Sequence, residues 1–217
     1  MFCNIVGGEI SPLLSNIYLN PLDQQMVQAG VEMIRYADDF VILCRSREEA
    51  EAALERVQRW TAAAGLTVHP EKTRVVDFAE PGGFDFLGYH FERDRRHPQR
   101  VRRWPRQKSV YNLRAKLREK TPRLNGNSLA RIIAAVNPVL RGWFAYFKHT
   151  DTRWLFRSLD GYLRRRLRRI LLMRAKKRRR SGIGGIANQR WPNAFFAEQG
   201  LFSLEMAHAQ ACQSAVR

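Results

Sequence analysis

The sequence predicts an α+β fold, with helices and β-hairpins alternating in its first part and helices alone dominating its second. Three observations predict it. Two short apolar runs, Met33-Ile34-Arg35-Tyr36 and Phe40-Val41-Ile42-Leu43-Cys44, flank a polar break at Asp38-Asp39. Apolar residues recur at helical spacing between Val110 and Leu171. The charge changes sign between the two parts, from acidic to strongly basic.

Ser11-Pro12 reads as an N-cap followed by proline at the first helical position, where its missing N–H costs nothing. Leu13, Leu14, Ile17 and Tyr18 then share one face, and a bend is expected near Pro21. The runs around Asp38-Asp39 form a hairpin with two acids at its tip. Ser46-Arg47-Glu48-Glu49 is a capping box, and Ala50, Ala53, Leu54, Val57 and Trp60 continue it as a helix of about four turns ending near Gly65. Val75–Phe78 and Phe84–Leu87 flank Pro81-Gly82-Gly83 and predict a second hairpin across that turn. Arg93–Gln107, crowded with arginine and broken by Pro98 and Pro105, predicts a connecting loop or irregular strand. Val110, Leu113 and Leu117 then mark one helix, Leu129, Ile132, Ile133, Val136 and Leu140 a second, and Leu159, Leu163, Leu167, Ile170 and Leu171 a third.

The 217 residues are 45% apolar, enough to bury one substantial core or two small ones and too many for a disordered chain. Residues 1–92 hold 7 Lys/Arg against 14 Asp/Glu, residues 93–180 hold 29 against 4, and residues 181–217 balance. A region with so many cations repels itself unless a polyanion neutralises it, and counterion release then drives binding. Nucleic acid is the expected partner. No run approaches the roughly 18 apolar residues of a membrane span, and Met1–Gly8 lacks the charged start and apolar run of a signal peptide, so no membrane contact and a cytoplasmic location are expected. Cys3, Cys44 and Cys212 form no paired spacing, and zinc is not expected.

The sharpest chemical feature is Tyr36-Ala37-Asp38-Asp39. Adjacent carboxylates at a strand-to-strand turn repel unless a cation sits between them, and hard oxygen ligands of this kind suit magnesium. Two such ions about 3.5–4 Å apart activate the attacking hydroxyl and stabilise the leaving oxygen in a phosphoryl displacement. A bare Asp-Asp is otherwise an ordinary polar hairpin tip. Arg164, Arg165, Arg168 and Arg169 fall mainly opposite the leucines of the third basic helix. With few acids to pair them, they are expected to contact phosphates rather than to form only a solvated face. Trp143, Phe144, Tyr146 and Phe147 read either as helix core or as faces on which unpaired RNA bases stack.

The run from Tyr36 to Leu43 resembles the catalytic hairpin of reverse transcriptases, and further segments in matching order resemble the group II intron branch of that family. Gly7–Asn20 is similar to the helix backing the nucleotide and template site. Gly65-Leu66 through Glu71-Lys72-Thr73 resembles the next palm motif, and Phe84–Tyr89 the primer-grip hairpin. Asn137–Phe147 resembles the maturase domain, and Arg190–Phe196 with Gly200–Leu204 the end of many such proteins. The resemblance implies a partial palm over residues 1–92, a basic helical thumb and maturase region over 93–180, and its tail over 181–217. It implies RNA-directed DNA polymerase and splicing activities, with intron RNA, an RNA template, a DNA primer and deoxynucleoside triphosphates as partners.

Residue by residue, the resemblance makes Asp38 and Asp39 catalytic metal-site carboxylates for magnesium and puts Lys72 where a palm lysine neutralises the leaving pyrophosphate. Gly7, Gly8, Ser11 and Pro12 would line the nucleotide and template site, while Phe86, Leu87 and Gly88 would grip the primer. Arg141, Trp143, Tyr146, Arg164, Arg165, Arg168, Arg169, Lys176, Lys177 and Arg178 would bind RNA.

The family's fingers and first palm strand, which carries another catalytic aspartate, have no counterpart here, and Ile5-Val6 stand where the family has Pro-Gln. The two-metal site is therefore expected to be incomplete, and the chain alone to lack useful polymerase activity unless a second chain supplies the missing fingers and palm. The alternative is an RNA-binding maturase module, or an inactive remnant of a truncated mobile intron. A reverse transcriptase from a defence or diversity-generating system would share the palm motifs but not residues 137–147. No CxxC-rich or His-Asn-His tail points to a DNA endonuclease.

Overall fold

The structure, a computed structural model, describes residues 11–124, 126–175 and 183–214, leaving aside the side chains of Ser11 and of residues 183–186. The chain divides into two compact units. One holds the residues up to Leu87 with Phe91–Gln99, and the other holds Gly88–His90 with the residues from Arg100 onward. Strands β3, Phe84–Phe86, β4, Tyr89–Arg93, and β5, Val101–Pro105, pair in the order β3-β4-β5.

The first unit begins with α1, Ser11–Gln28, which runs through Pro21. The antiparallel pair β1, Glu32–Tyr36, and β2, Asp39–Leu43, follows, and then α2, Arg47–Ala63. Ser46 caps α2, its Oγ accepting from the Glu49 amide at 3.2 Å. The Glu49 carboxylate reaches one residue further back than the usual capping box and accepts from the Arg45 amide at 2.7 Å. Leu22, Met26 and Val57 are buried at the centre, with Met33, Phe40 and Ile42 from the hairpin packed against them.

The second hairpin differs from the sequence expectation. Residues 75–78 form no strand. β3 instead turns into β4 at Leu87-Gly88, whose φ angles of 47° and 79° are the left-handed backbone that a two-residue hairpin loop demands. Gly83 serves close packing: a Cβ there would meet the Phe91 carbonyl oxygen at 1.9 Å. Gly88 of the Leu87-Gly88 step is the turn signal, and the Pro-Gly-Gly cluster ahead of it masked it. Likewise the arginine-rich stretch from Arg93 to Gln107 contains the regular strand β5.

The second unit is built on α3, Gln107–Lys120, α4, Leu129–Phe147, and α5, Arg153–Arg174. These are followed by the shorter α6, Ile183–Arg190, α7, Asn193–Glu198, and α8, Leu204–Ser214. One core runs from Leu113 and Leu117 through Val136 and Leu140 to Phe156 and Leu163, and Phe196 and Leu204 complete it. Helices α7 and α8 therefore contribute to this core. The link is polar as well as apolar. The Oδ1 of buried Asp160 accepts from the Leu204 amide (3.0 Å), and its Oδ2 accepts from the Glu205 amide (3.2 Å) and the Ser203 hydroxyl (2.7 Å), which caps α8 from a different helix. Among the described residues no helix is long and apolar enough to cross a membrane.

Removing that carboxylate strands several buried donors at once. Asp160→Ala is expected to lower unfolding stability by about 2–4 kcal/mol, with hydrogen exchange at the Leu204 and Glu205 amides rising more than at Leu117. Urea denaturation and amide exchange of the full chain read both effects.

Candidate functional site

Two adjacent acids come to one turn because β1 and β2 pair in a register that closes on Tyr36↔Asp39, leaving Ala37-Asp38 as a two-residue loop. Ala37 has φ 55°, a conformation that costs an L-residue roughly 1–2 kcal/mol and that glycine ordinarily supplies in such turns. Asp38, in the loop, and Asp39, the first residue of β2, are both exposed. The backbone is held by Arg35. Its Nη1 donates to the Ala37 carbonyl at 2.7 Å and to Asn16 Oδ1 at 2.9 Å, while its Nε and Nη2 form a bidentate pair with Asp23 of α1. That hydrogen bond to Asp23 raises the Arg35 pKa above its ordinary value, outweighing the opposing effect of burial.

The other sequence-predicted positions of this unit are more scattered. Lys72 is exposed in a turn that its own amide closes on the His69 carbonyl (3.2 Å), and among the described residues no ion pair joins it to Asp38 or Asp39. Pro12 is exposed on α1, and Gly7 and Gly8 lie outside the described residues. Phe86 and Leu87 are half-buried at the end of the first unit. Gly88 opens the second, where its carbonyl accepts from the Arg106 amide (2.9 Å) and the Ser109 hydroxyl (3.0 Å).

In the second unit the basic residues sort by burial. Arg165 and Arg169, one turn apart on α5, are exposed, and Arg164 is half-buried beside them. Arg168, one of the residues expected to contact phosphate, is buried, donating to the Trp191 carbonyl and Asn193 Oδ1, both at 2.8 Å, with its guanidinium 5.2 Å from the centre of the Phe196 ring. Burial, with Arg164 and Arg165 nearby, pulls its pKa below the ordinary arginine value. Arg166, which the periodicity did not single out, donates to the hydroxyl and carbonyl of Thr121 at 2.7 and 2.6 Å and so closes the end of α3.

The aromatic run divides in the same way. Trp143 packs on Phe147 and Phe156, and Phe147 is buried, whereas Tyr146 is exposed and stacks on Tyr89 with ring centres 5.9 Å apart. Arg141 is exposed, its guanidinium 4.8 Å from the Phe202 ring centre. Asn137 binds the approach to α8, donating to the Gly200 carbonyl at 2.8 Å and accepting from the Phe202 amide at 2.9 Å. Lys176, Lys177 and Arg178 lie outside the described residues.

Comparison with known families matches both parts. Residues 5–91 match the reverse transcriptase (RNA-dependent DNA polymerase) family, and residues 110–191 match the group II intron maturase-specific domain. The chain belongs to the group II intron reverse transcriptase/maturase family. No curated protein matches it significantly. The reverse transcriptase segment thus carries the Asp38–Asp39 turn, and the maturase domain, which implies intron RNA binding, carries the α5 arginines.

This family typically uses magnesium, and the turn's hard oxygen donors suit it, because Mg2+ is commonly held by one or two carboxylates with water and substrate phosphate completing its shell. Among the described residues no set of three His, Cys, Asp or Glu side chains is assembled for a metal.

The functions of neighbouring arginines on α5 separate by stability. Arg168→Ala is expected to cost about 2–4 kcal/mol by stranding a buried carbonyl and opening space beside Phe196. Arg165→Ala is expected to change stability by under about 0.5 kcal/mol. Chemical denaturation of the two variants side by side checks the assignment.

Proposed function

We propose that the maturase domain grips intron RNA with the exposed arginine face of α5, and that the Asp38–Asp39 turn serves RNA-directed DNA synthesis on an RNA template and DNA primer from deoxynucleoside triphosphates. One observation carries the RNA-binding half. Arg165 and Arg169 project from a helix whose opposite face is core, and three acids of the same unit are engaged with other partners. Asp160 caps α8, Glu205 pairs with Arg153 and Arg157 at 3.6 and 3.4 Å, and Asp151 accepts from Arg100 at 3.2 Å and the Arg103 amide at 2.8 Å. Arginines that no ion pair among the described residues neutralises can bind phosphate oxygens in the bidentate geometry they favour. Lys176, Lys177 and Arg178 extend the same basic sequence, and Tyr146 and Arg141 present an exposed ring and cation for unpaired bases.

For the polymerase half, two adjacent carboxylates sit at one turn whose Ala37 carbonyl accepts from Arg35. Magnesium, when bound there, would supply the positive charge that stabilises the transferring phosphoryl group. Lys72 is the candidate for neutralising the leaving pyrophosphate. A two-ion site takes further carboxylates, so DNA synthesis on this reading requires donors beyond the described residues, from this chain or a partner chain.

Filter binding of the full chain to group II intron RNA across a salt series is expected to show steep salt dependence. Arg165→Ala and Arg169→Ala should each reduce the log–log slope by about 1. Slopes unchanged in both variants would remove α5 from the interface. Primer extension on an RNA template with magnesium is expected to be absent for the unaided chain. Extension that Asp38→Ala abolishes would show the site to be complete without a partner.

A further inference from the structure

Arg35 occupies an inward position on β1. The strand alternates, with Glu32, Ile34 and Tyr36 exposed and Met33 and Arg35 turned inward, so an arginine stands where the pleat calls for an apolar residue. Its side chain is only 10% exposed. A charge removed from water in this way is retained only where its partners are good, and here they are two-sided. Asp23 and Asn16 on α1 aim the guanidinium, and the remaining donor direction ends on the carbonyl of Ala37. Ala37 is the strained loop residue, and the next two residues are the acids.

We propose that Arg35 is the positioning residue of the Asp38–Asp39 turn: aimed by Asp23 and Asn16, it fixes the left-handed backbone of Ala37 and thereby the directions in which both carboxylates project. The proposal rests on the reading of that turn as a cation-binding site. Asp23→Asn and Arg35→Lys both keep the side-chain volume near that of the native residue while disrupting the bidentate pair, and Lys also lacks the planar fork that spans Asp23 and the carbonyl together. Arg35 touches no substrate, and its effect passes through the loop.

A device that merely ties α1 to β1 would stabilise the unit without controlling the loop, and the two roles respond differently. The full chain, carbon-13 labelled at alanine, reports the Ala37 backbone through its Cα and Cβ shifts, and Mn2+ titration reports cation binding through relaxation of the Asp38 and Asp39 amides. The parent chain is expected to show left-handed shifts at Ala37 and selective Mn2+ relaxation at the two acids. Arg35→Lys and Asp23→Asn should move the Ala37 shifts toward the right-handed range and weaken Mn2+ binding about tenfold, the size of effect seen when a group that orients a metal ligand is lost. Adding Ala37→Gly to Arg35→Lys should not recover the fixed loop direction or the affinity, because glycine relieves strain without restoring the tether. Val57→Ala, a core cavity elsewhere in the unit, should lower the melting temperature while leaving both readouts in place.

Left-handed Ala37 shifts that persist in both Arg35→Lys and Asp23→Asn overturn the proposal, as does an equal loss of those shifts in Val57→Ala. If Mn2+ relaxes neither amide in the parent chain while the Ala37 shifts still follow Arg35, the clamp stands and the cation-binding reading of the turn falls.

Discussion

Helix α5 holds the maturase domain together because three of its charged residues are spent on the unsatisfied ends of other segments. Helix termini carry backbone donors and acceptors without partners inside the helix, and burying them bare is costly. Asp160 satisfies the start of α8, Arg166 the end of α3, and Arg168 the Trp191 carbonyl ahead of α7. The leucine stripe of α5 supplies the apolar contact, but apolar burial is non-directional. The polar side chains decide where the neighbouring helices begin and end.

The same economy operates around the Asp38–Asp39 hairpin. Arg35 takes an inward position and spends its charge on Asp23 of α1 and on the carbonyl of Ala37. In both units, then, inward charges fix backbone, whereas Asp38 and Asp39 in one and Arg165 and Arg169 in the other are exposed. Residues of like chemistry that lie within a few positions of each other thus differ in burial and in what they hold. A substitution study that treats the α5 arginines as one patch would mix a buried, hydrogen-bonded residue with exposed ones.

Asn137 shows the division inside a single motif. The run from Asn137 to Phe147 resembles a maturase signature, yet Asn137, Trp143 and Phe147 face the protein, the first holding Gly200 and Phe202 and the other two packed among rings. Arg141 and Tyr146 of the same run are exposed. The same motif thus holds the approach to α8 and packs rings in the core while leaving two of its residues at the surface.

The sequence by itself determined the fold class, the family, the Asp38–Asp39 hairpin and the three basic helices, because each rests on local information: alternation around a polar break, helical periodicity, and motif order. Tertiary structure decided what local patterns leave degenerate. Two turn signals lay close together, and Gly83 proved to be a close approach to Phe91 while Leu87-Gly88 made the hairpin turn, a choice set by strand pairing. Helical periodicity placed Arg168 among the solvent-facing arginines, but the segment from Trp191 to Phe196 folds back over that position and buries it. Periodicity tells which way a side chain points from its own helix. It does not tell what a segment more than twenty residues later will lay on top of it.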